Sequence, residues 1–155
     1  MRLEYFQLID RITELRLADR SIRTEATVPT TSTIFEGHFP GYPLMPGVLL
    51  IEAMAQTAGW LVIAATRFTR MPFLAAVKEA KLRTFVSPGE ILSLSAELVH
   101  EGSGFAITKT QVKTDRPICD ATITFKVLDF PNSDFRARMD EWATRLEFPR
   151  EALNA

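Results

Sequence analysis

The sequence predicts an α+β fold in which an antiparallel β-sheet wraps round one long central apolar helix, with helices at both termini. Three observations carry this expectation. Residues 48–66, VLLIEAMAQTAGWLVIAAT, are apolar on every side, the pattern of a helix enclosed by a core. Beyond Pro72 the chain changes to short alternating segments separated by turn residues, which read as strands. A single buried helix followed by a meander of antiparallel strands is an α+β order. The length, 155 residues with 46% apolar content, suits one domain over 1–155 with a real core.

Taken in order, residues 2–17 read as a short amphipathic helix, because Phe6, Ile9, Ile12 and Leu15 can share one face. Residues 20–28 alternate and read as a strand. The segment 34–47, IFEGHFPGYPLMPG, holds Gly37, Gly41 and Gly47 with Pro40, Pro43 and Pro46. Such a run reads as an irregular loop of fixed shape, since glycine admits unusual backbone angles and proline fixes φ. Pro46 is well placed at the start of the apolar helix, where its missing N–H would have no acceptor. Strands are expected over 73–86, 90–100, 104–115 and 118–128. Pro88-Gly89, Gly102-Ser103-Gly104 and Arg116-Pro117 lie between them as turns. Phe135, Met139, Trp142 and Leu146 mark an appended helix over about 132–147, started by Asn132 or Ser133. The sheet covers one side of the central helix, so the uncovered side and the sheet edges favour a second subunit.

Composition excludes several classes. A net charge of −1 argues against a nucleic-acid or polybasic membrane binder. Cys119 is the only cysteine, and His38 and His100 are the only histidines, so no disulfide framework and no metal site are expected. Cys119 reads as a small buried hydrophobe and His100 as a surface residue. Residues 48–66 are long enough to cross a bilayer, but they carry Glu52, Gln56 and Thr57. A carboxylate near the bilayer centre costs roughly 2.5 kcal/mol or more, so no membrane span is expected. The charged start, MRLEYFQLIDRITELR, lacks the apolar region of a secretory signal, and a cytosolic protein is expected.

His38, in the rigid loop, and Glu52, in the apolar helix, form the strongest acid–base candidates. Glu52 lies among Leu49, Leu50, Ile51, Ala53, Met54 and Ala55, and a carboxyl desolvated in this way holds its proton more tightly. A neutral histidine accepts a proton at the same pH. One donor and one acceptor suit a 1,2-elimination or its reverse. Gly47 and Val48 begin the helix, so their N–H groups have no intrahelical acceptor and can polarise a carbonyl. Gly37 and Gly41 allow a substrate to approach the loop backbone closely.

The run from Gly37 to Leu49, GHFPGYPLMPGVL, followed by Glu52-Ala53-Met54-Ala55-Gln56, closely resembles the signature of the FabZ/FabA-type 3-hydroxyacyl-[acyl-carrier-protein] dehydratases. The match covers some twenty residues and includes the step from His38 to Glu52. The resemblance implies a hot-dog fold, no cofactor, and at least a dimer, which brings the histidine of one subunit near the acid of the other; dimer and trimer of dimers both stay open. It implies that His38 removes the α-proton of a 3-hydroxyacyl thioester and that Glu52 protonates the departing hydroxyl. Gly47 N–H would hold the thioester carbonyl and Gln56 would orient the acid or a water. Phe39, Gly41 and Val48 fall among the substrate-binding positions, and the acyl chain would lie in an apolar tunnel at the subunit interface. Glu52 favours the FabZ-like branch, because the isomerising branch usually has Asp there. Tyr42 departs from the histidine common at its position.

The partner this resemblance implies is acyl carrier protein bearing a phosphopantetheine-linked chain. Lys78, Lys81 and Arg83 sit in a stretch rich in positive charge, which suits docking of an acidic carrier. Three other activities are compatible with the same fold. They are an acyl thioesterase, a non-catalytic acyl-carrier-binding subunit, and a dehydratase that also isomerises its product.

Overall fold

The computed structural model describes residues 1–154. Its strands and helices run β1 (Arg11–Arg16), β2 (Ser21–Thr27), α1 (Thr33–Gly37), α2 (Gly47–Ala65), β3 (Met71–Leu82), β4 (Ile91–Gly102), β5 (Phe105–Lys113), β6 (Pro117–Leu128) and α3 (Ser133–Arg145). All six strands form one antiparallel sheet in the order β1-β2-β4-β5-β6-β3. The sheet packs against α2 through its alternating faces. In β4, Leu92, Leu94, Ala96 and Leu98 are buried while the residues between them are more open, the period-two signature of a half-buried strand. The expected α+β arrangement of one long helix held by a curved sheet is therefore present.

Helix α2 is buried over most of its circumference, as its apolar sequence requires. It is long and apolar enough to cross a membrane, but most of it lies inside the fold. Its one enclosed polar side chain, Thr57, is satisfied by a chain of hydroxyls. Thr57 Oγ1 donates to Ala53 O at 3.0 Å, so it accepts from Thr24 Oγ1 at 2.8 Å. This chain ties α2 to β2 across an otherwise apolar contact. Cys119 is buried in β6, and burial pushes its thiol up to about 11, which leaves it a structural hydrophobe.

Three expectations are corrected. Residues 2–17 are not a helix: a 3₁₀ turn at Leu3–Tyr5 leads into β1. The spacing of Ile12 and Leu15 comes from a β-bulge. Ile12 faces Thr24 and Leu15 faces Ile22, with a register shift at Ile12/Glu14. The bulge places two residues opposite one, so side chains three apart share a strand face. Second, the strands do not form one meander, because β3 pairs with β6 at the far edge and β4 pairs with β2. The sequence of β3 lacks clean alternation, and most of the strand is exposed, as an edge strand allows. Third, the helix Thr33–Gly37 overlaps the start of the expected loop, since glycine and proline become dense only from Gly37 onward.

Helix α1 is capped from a distance. The Glu4 carboxylate accepts from Ser32 Oγ at 2.6 Å, Thr33 N at 3.0 Å and Thr33 Oγ1 at 3.0 Å. Ser32 Oγ in turn accepts from Ile34 N, so the N-terminal turn and the start of the loop are one hydrogen-bonded unit. The Ser32 hydroxyl, followed by backbone and Thr33 donors, lowers the Glu4 carboxyl to about 2.

Two predictions follow from this packing. Thr57→Val orphans the buried Thr24 hydroxyl and costs about 1–3 kcal/mol. The double change with Thr24→Val recovers part of that loss, and urea denaturation of wild type and the two variants checks the order. Glu4 is lowered on folding, so its contribution is present above the ordinary value of 4.5 and disappears as pH falls towards about 2. The difference in Tm between wild type and Glu4→Gln is therefore widest near neutrality and closes over that window. A constant difference across pH would remove Glu4 from the account.

Candidate active site

His38 follows α1, and its backbone N–H closes that helix on Ile34 O at 3.0 Å. The loop beyond it is a small hydrogen-bonded ring. Leu44 N donates to His38 O at 2.9 Å, and Phe39 and Tyr42 exchange backbone bonds at 2.9 and 2.8 Å. Within the latter turn Pro40 supplies its fixed φ and Gly41 takes φ +72°, a type II pattern that calls for glycine. The His38–Phe39 peptide is cis, and the two rings stack with centroids 4.0 Å apart.

The His38 ring is oriented by the same loop. Nδ1 lies 2.9 Å from Leu44 O. A carbonyl only accepts, so Nδ1 carries the proton in this bond, and Nε2 is the ring nitrogen left to act as the acceptor. His38 opens on a cavity of about 410 Å³ shared with Gly47, Phe39, Leu82, Arg83 and Phe85. Gly47 is the first residue of α2, and its N–H has no acceptor in the helix. A Cβ at Gly47 would meet Leu82 Cδ1 at 2.6 Å, so the side chain of Leu82 lies directly over this helix start. One cavity therefore holds a proton acceptor and the positive end of a 19-residue helix.

Glu52 and Gln56 lie elsewhere. They open on a second cavity of about 370 Å³. Glu52 stands five residues after Gly47, which turns it about 140° round the helix. The carboxyl is half-buried, and the complete enclosure expected from its sequence neighbours is not found. Those neighbours point round the helix, and the sheet takes the other sides. Gln56 is fully used. Its Nε2 donates to Phe6 O at 2.7 Å and to Glu52 Oε1 at 3.2 Å, and its Oε1 accepts from Leu8 N at 3.1 Å. It both bonds the Glu52 carboxyl and pins the N-terminal segment beside it.

The remaining candidates are dispersed. Val48 is 71% exposed, and neither it nor Gly41 lines either cavity. Lys78 and Lys81 are exposed on β3, and among the described residues neither pairs with a carboxylate. Arg83 does: Nε and Nη2 donate to Asp120 Oδ2 at 3.0 and 2.6 Å. His100 is exposed on β4. No group of three or more metal-ligating side chains occurs among the described residues. The carbonyl of Leu44 and the backbone of Phe6 and Leu8 set the orientation of the acid–base candidates, and no sequence signal marks a main-chain partner. The helical face Phe135, Met139, Trp142 was legible, but what it packs against was not.

A FabA-like domain model matches residues 2–121. The chain is 37% identical over 121 residues to a 3-hydroxyacyl-[acyl-carrier-protein] dehydratase FabZ of Lactiplantibacillus plantarum, covering 77% of this chain and 82% of the relative. It is 37% identical over 124 residues to the FabZ of Clostridium acetobutylicum, covering 78% and 86%. Among solved structures, a conserved protein of Pseudomonas aeruginosa superposes with a TM-score of 0.63 at 20% identity, covering 81% of this chain and 91% of the other. A hypothetical thioesterase of Streptococcus pneumoniae, solved with coenzyme A, gives 0.60 at 18% identity, covering 79% and 88%. At these identities the solved structures establish the shared hot-dog fold, and the sequence matches establish the family. The GHFPGYPLMPGVL segment, the loop that presents His38 and the match across residues 2–121 together place this chain in the FabA-like family, among the FabZ-type dehydratases.

Proposed function

We propose that this protein dehydrates 3-hydroxyacyl thioesters of acyl carrier protein to trans-2-enoyl thioesters in fatty-acid synthesis. The observation that carries the mechanism is the His38 Nδ1–Leu44 O hydrogen bond, which leaves Nε2 free beside the start of α2. His38 Nε2 takes the α-proton, and the electron pair forms the new double bond between C2 and C3. Glu52 gives a proton to the departing 3-hydroxyl, which leaves as water. The Gly47 N–H stabilises the negative charge that builds on the thioester oxygen. Gln56 holds the Glu52 carboxyl in place through its 3.2 Å bond.

Within one chain His38 and Glu52 face different cavities, which supports a site that pairs His38 with Glu52 of the partner subunit. The sheet supplies a surface for such a partner. Strand β3 is a 12-residue edge with Leu74, Val77 and Leu82 exposed, and a long apolar edge calls for cover. Phe39 and Phe85, both exposed, extend this apolar surface round the His38 cavity. The working form in this proposal is a homodimer or a trimer of dimers, acting in the cytoplasm, with each whole chain as one domain. Lys78, Lys81 and Arg83 face the acidic carrier protein.

His38→Ala and Glu52→Gln each keep the fold and lower turnover by about 10²–10⁴-fold. Enoyl-thioester absorbance during hydration of trans-2-enoyl substrate measures this. Loss of only a few-fold in either would remove that residue from its role. Release of free thiol instead of hydration would point to a thioesterase. Mixing the two inactive variants and allowing subunits to exchange restores about a quarter of wild-type activity if each site draws on both subunits of a two-fold dimer. Half the dimers are then mixed, and each carries one intact site; a site within one chain would recover nothing.

Charge reversal at Lys78 and Lys81 raises KM for the acyl-carrier-protein substrate and leaves that for a pantetheine thioester nearly unchanged. Equal KM values for wild type and variant on the carrier-bound substrate would dismiss the docking patch.

A further inference from the structure

Helix α3 lies outside the matched family region, which ends at residue 121 within β6. It is nevertheless firmly built in. Trp142 meets Trp60 of α2 edge-on at 6.1 Å, and Phe148 packs on Trp60 at 6.2 Å and on Phe68 at 5.2 Å. Arg136 Nε donates to Phe68 O at 3.0 Å, and Ile12 N donates to Leu146 O at 2.8 Å. The helix starts on an Asn132 cap that accepts from Phe135 N at 2.8 Å. These contacts fix α3 against the C-terminal half of α2.

The face that α3 turns inward lines the same cavity as Glu52. The α2 wall runs from Glu52 through Gln56 and Gly59 to Trp60 and Ile63, about 16 Å at the helical rise. Phe135, Met139 and Trp142 of α3 line the same cavity. Polar groups occur at the Glu52–Gln56 end, and the remainder is apolar. Phe135 and Met139 are half-buried, so their side chains meet the cavity without filling the core. Gly59 keeps the α2 wall low, with the nearest side chain, Pro72 Cγ, 3.6 Å from where its Cβ would stand.

We infer that α3 forms the distal wall of the acyl-chain chamber and that Phe135 and Met139 set the length of chain the enzyme accepts. The inference rests on the dehydratase reading, in that the reacting end of the substrate lies at Glu52 and its hydrocarbon tail runs along α2 towards α3. The occupant is the linear alkyl chain of the substrate. The cavity begins at the proposed acid, is lined by α2 and α3 together with residues of β3, β6 and the N-terminal turn, and presents no charged group at its far end.

The test compares wild type, Met139→Trp and the pair Phe135→Ala/Met139→Ala, each checked for folding by circular dichroism and melting. Two readouts are taken over a series from butyryl to palmitoyl length: kcat/KM on 3-hydroxyacyl-pantetheine thioesters, and calorimetric binding of the saturated acyl-pantetheines, which needs no turnover. Met139→Trp lowers the long-to-short ratio of kcat/KM at least tenfold and weakens binding of the long members. The alanine pair moves the limit to longer chains, and it keeps the test alive if the tryptophan variant does not fold. The same length dependence in wild type and folded variants overturns the role of α3, as does failure of the wild type to bind any chain. Binding whose length limit shifts with the variants, without dehydration, would keep the chamber and overturn the dehydratase reading. Dehydration with an unmoved length limit would do the reverse.

Discussion

The fold depends on burying α2. A helix that is apolar all round has no face to give to water, so other elements must enclose it. The sheet does most of this by curving round it and presenting the inward positions of β2, β4, β5 and β6. The one hydroxyl of α2 that enclosure traps, Thr57, is bonded on both sides, and no buried side-chain polar atom among the described residues lacks a partner. What the sheet leaves open is a stripe on the N-terminal half: Val48, Ile51, Glu52 and Gln56. These recur at helical spacing on one side. The acid candidate is therefore accessible because it falls on the only side of the helix that the sheet does not reach.

Much of this was legible in the sequence. The uninterrupted apolar run located α2 to within a residue at each end, because nothing else in a chain of this length combines that length and hydrophobicity. Turn residues located β4, β5 and β6 for an equally local reason. Segment 2–17 was misread because a bulge imitates helical spacing, and whether a bulge or a helix produces that spacing is decided by the strand alongside, not by the segment. The position of β3 beside β6 was hidden likewise, since strand order depends on long-range pairing.

The site shows the same division. The residue types and spacing of His38, Gly47, Glu52 and Gln56 could be read directly, and they resembled one family closely. Their orientation could not, because it comes from main-chain groups. Leu44 O selects the His38 tautomer, while Phe6 O and Leu8 N pin Gln56. A carbonyl has no residue identity, so no pattern of letters announces it. The separation of His38 and Glu52 into two cavities was equally invisible, since it follows from the angle that five residues subtend on a helix and from where the sheet ends.

The two halves of α2 are thus covered by different means, and this gives the proposed chamber a direction. The C-terminal half, with Trp60 and Ile63, meets α3 through an aromatic cluster in which Trp60 is buried. The N-terminal half keeps the polar side chains of Glu52 and Gln56 half-buried on the side that the sheet leaves open. A substrate with a polar thioester and an apolar tail has one favourable way to enter such a space. Its tail gains by leaving water at the α3 end, and its reacting carbons are then left at the end where hydrogen-bonding groups remain. Orientation of the substrate would follow from the same hydrophobic term that encloses α2, with the acid and base needing only to stand at the polar end.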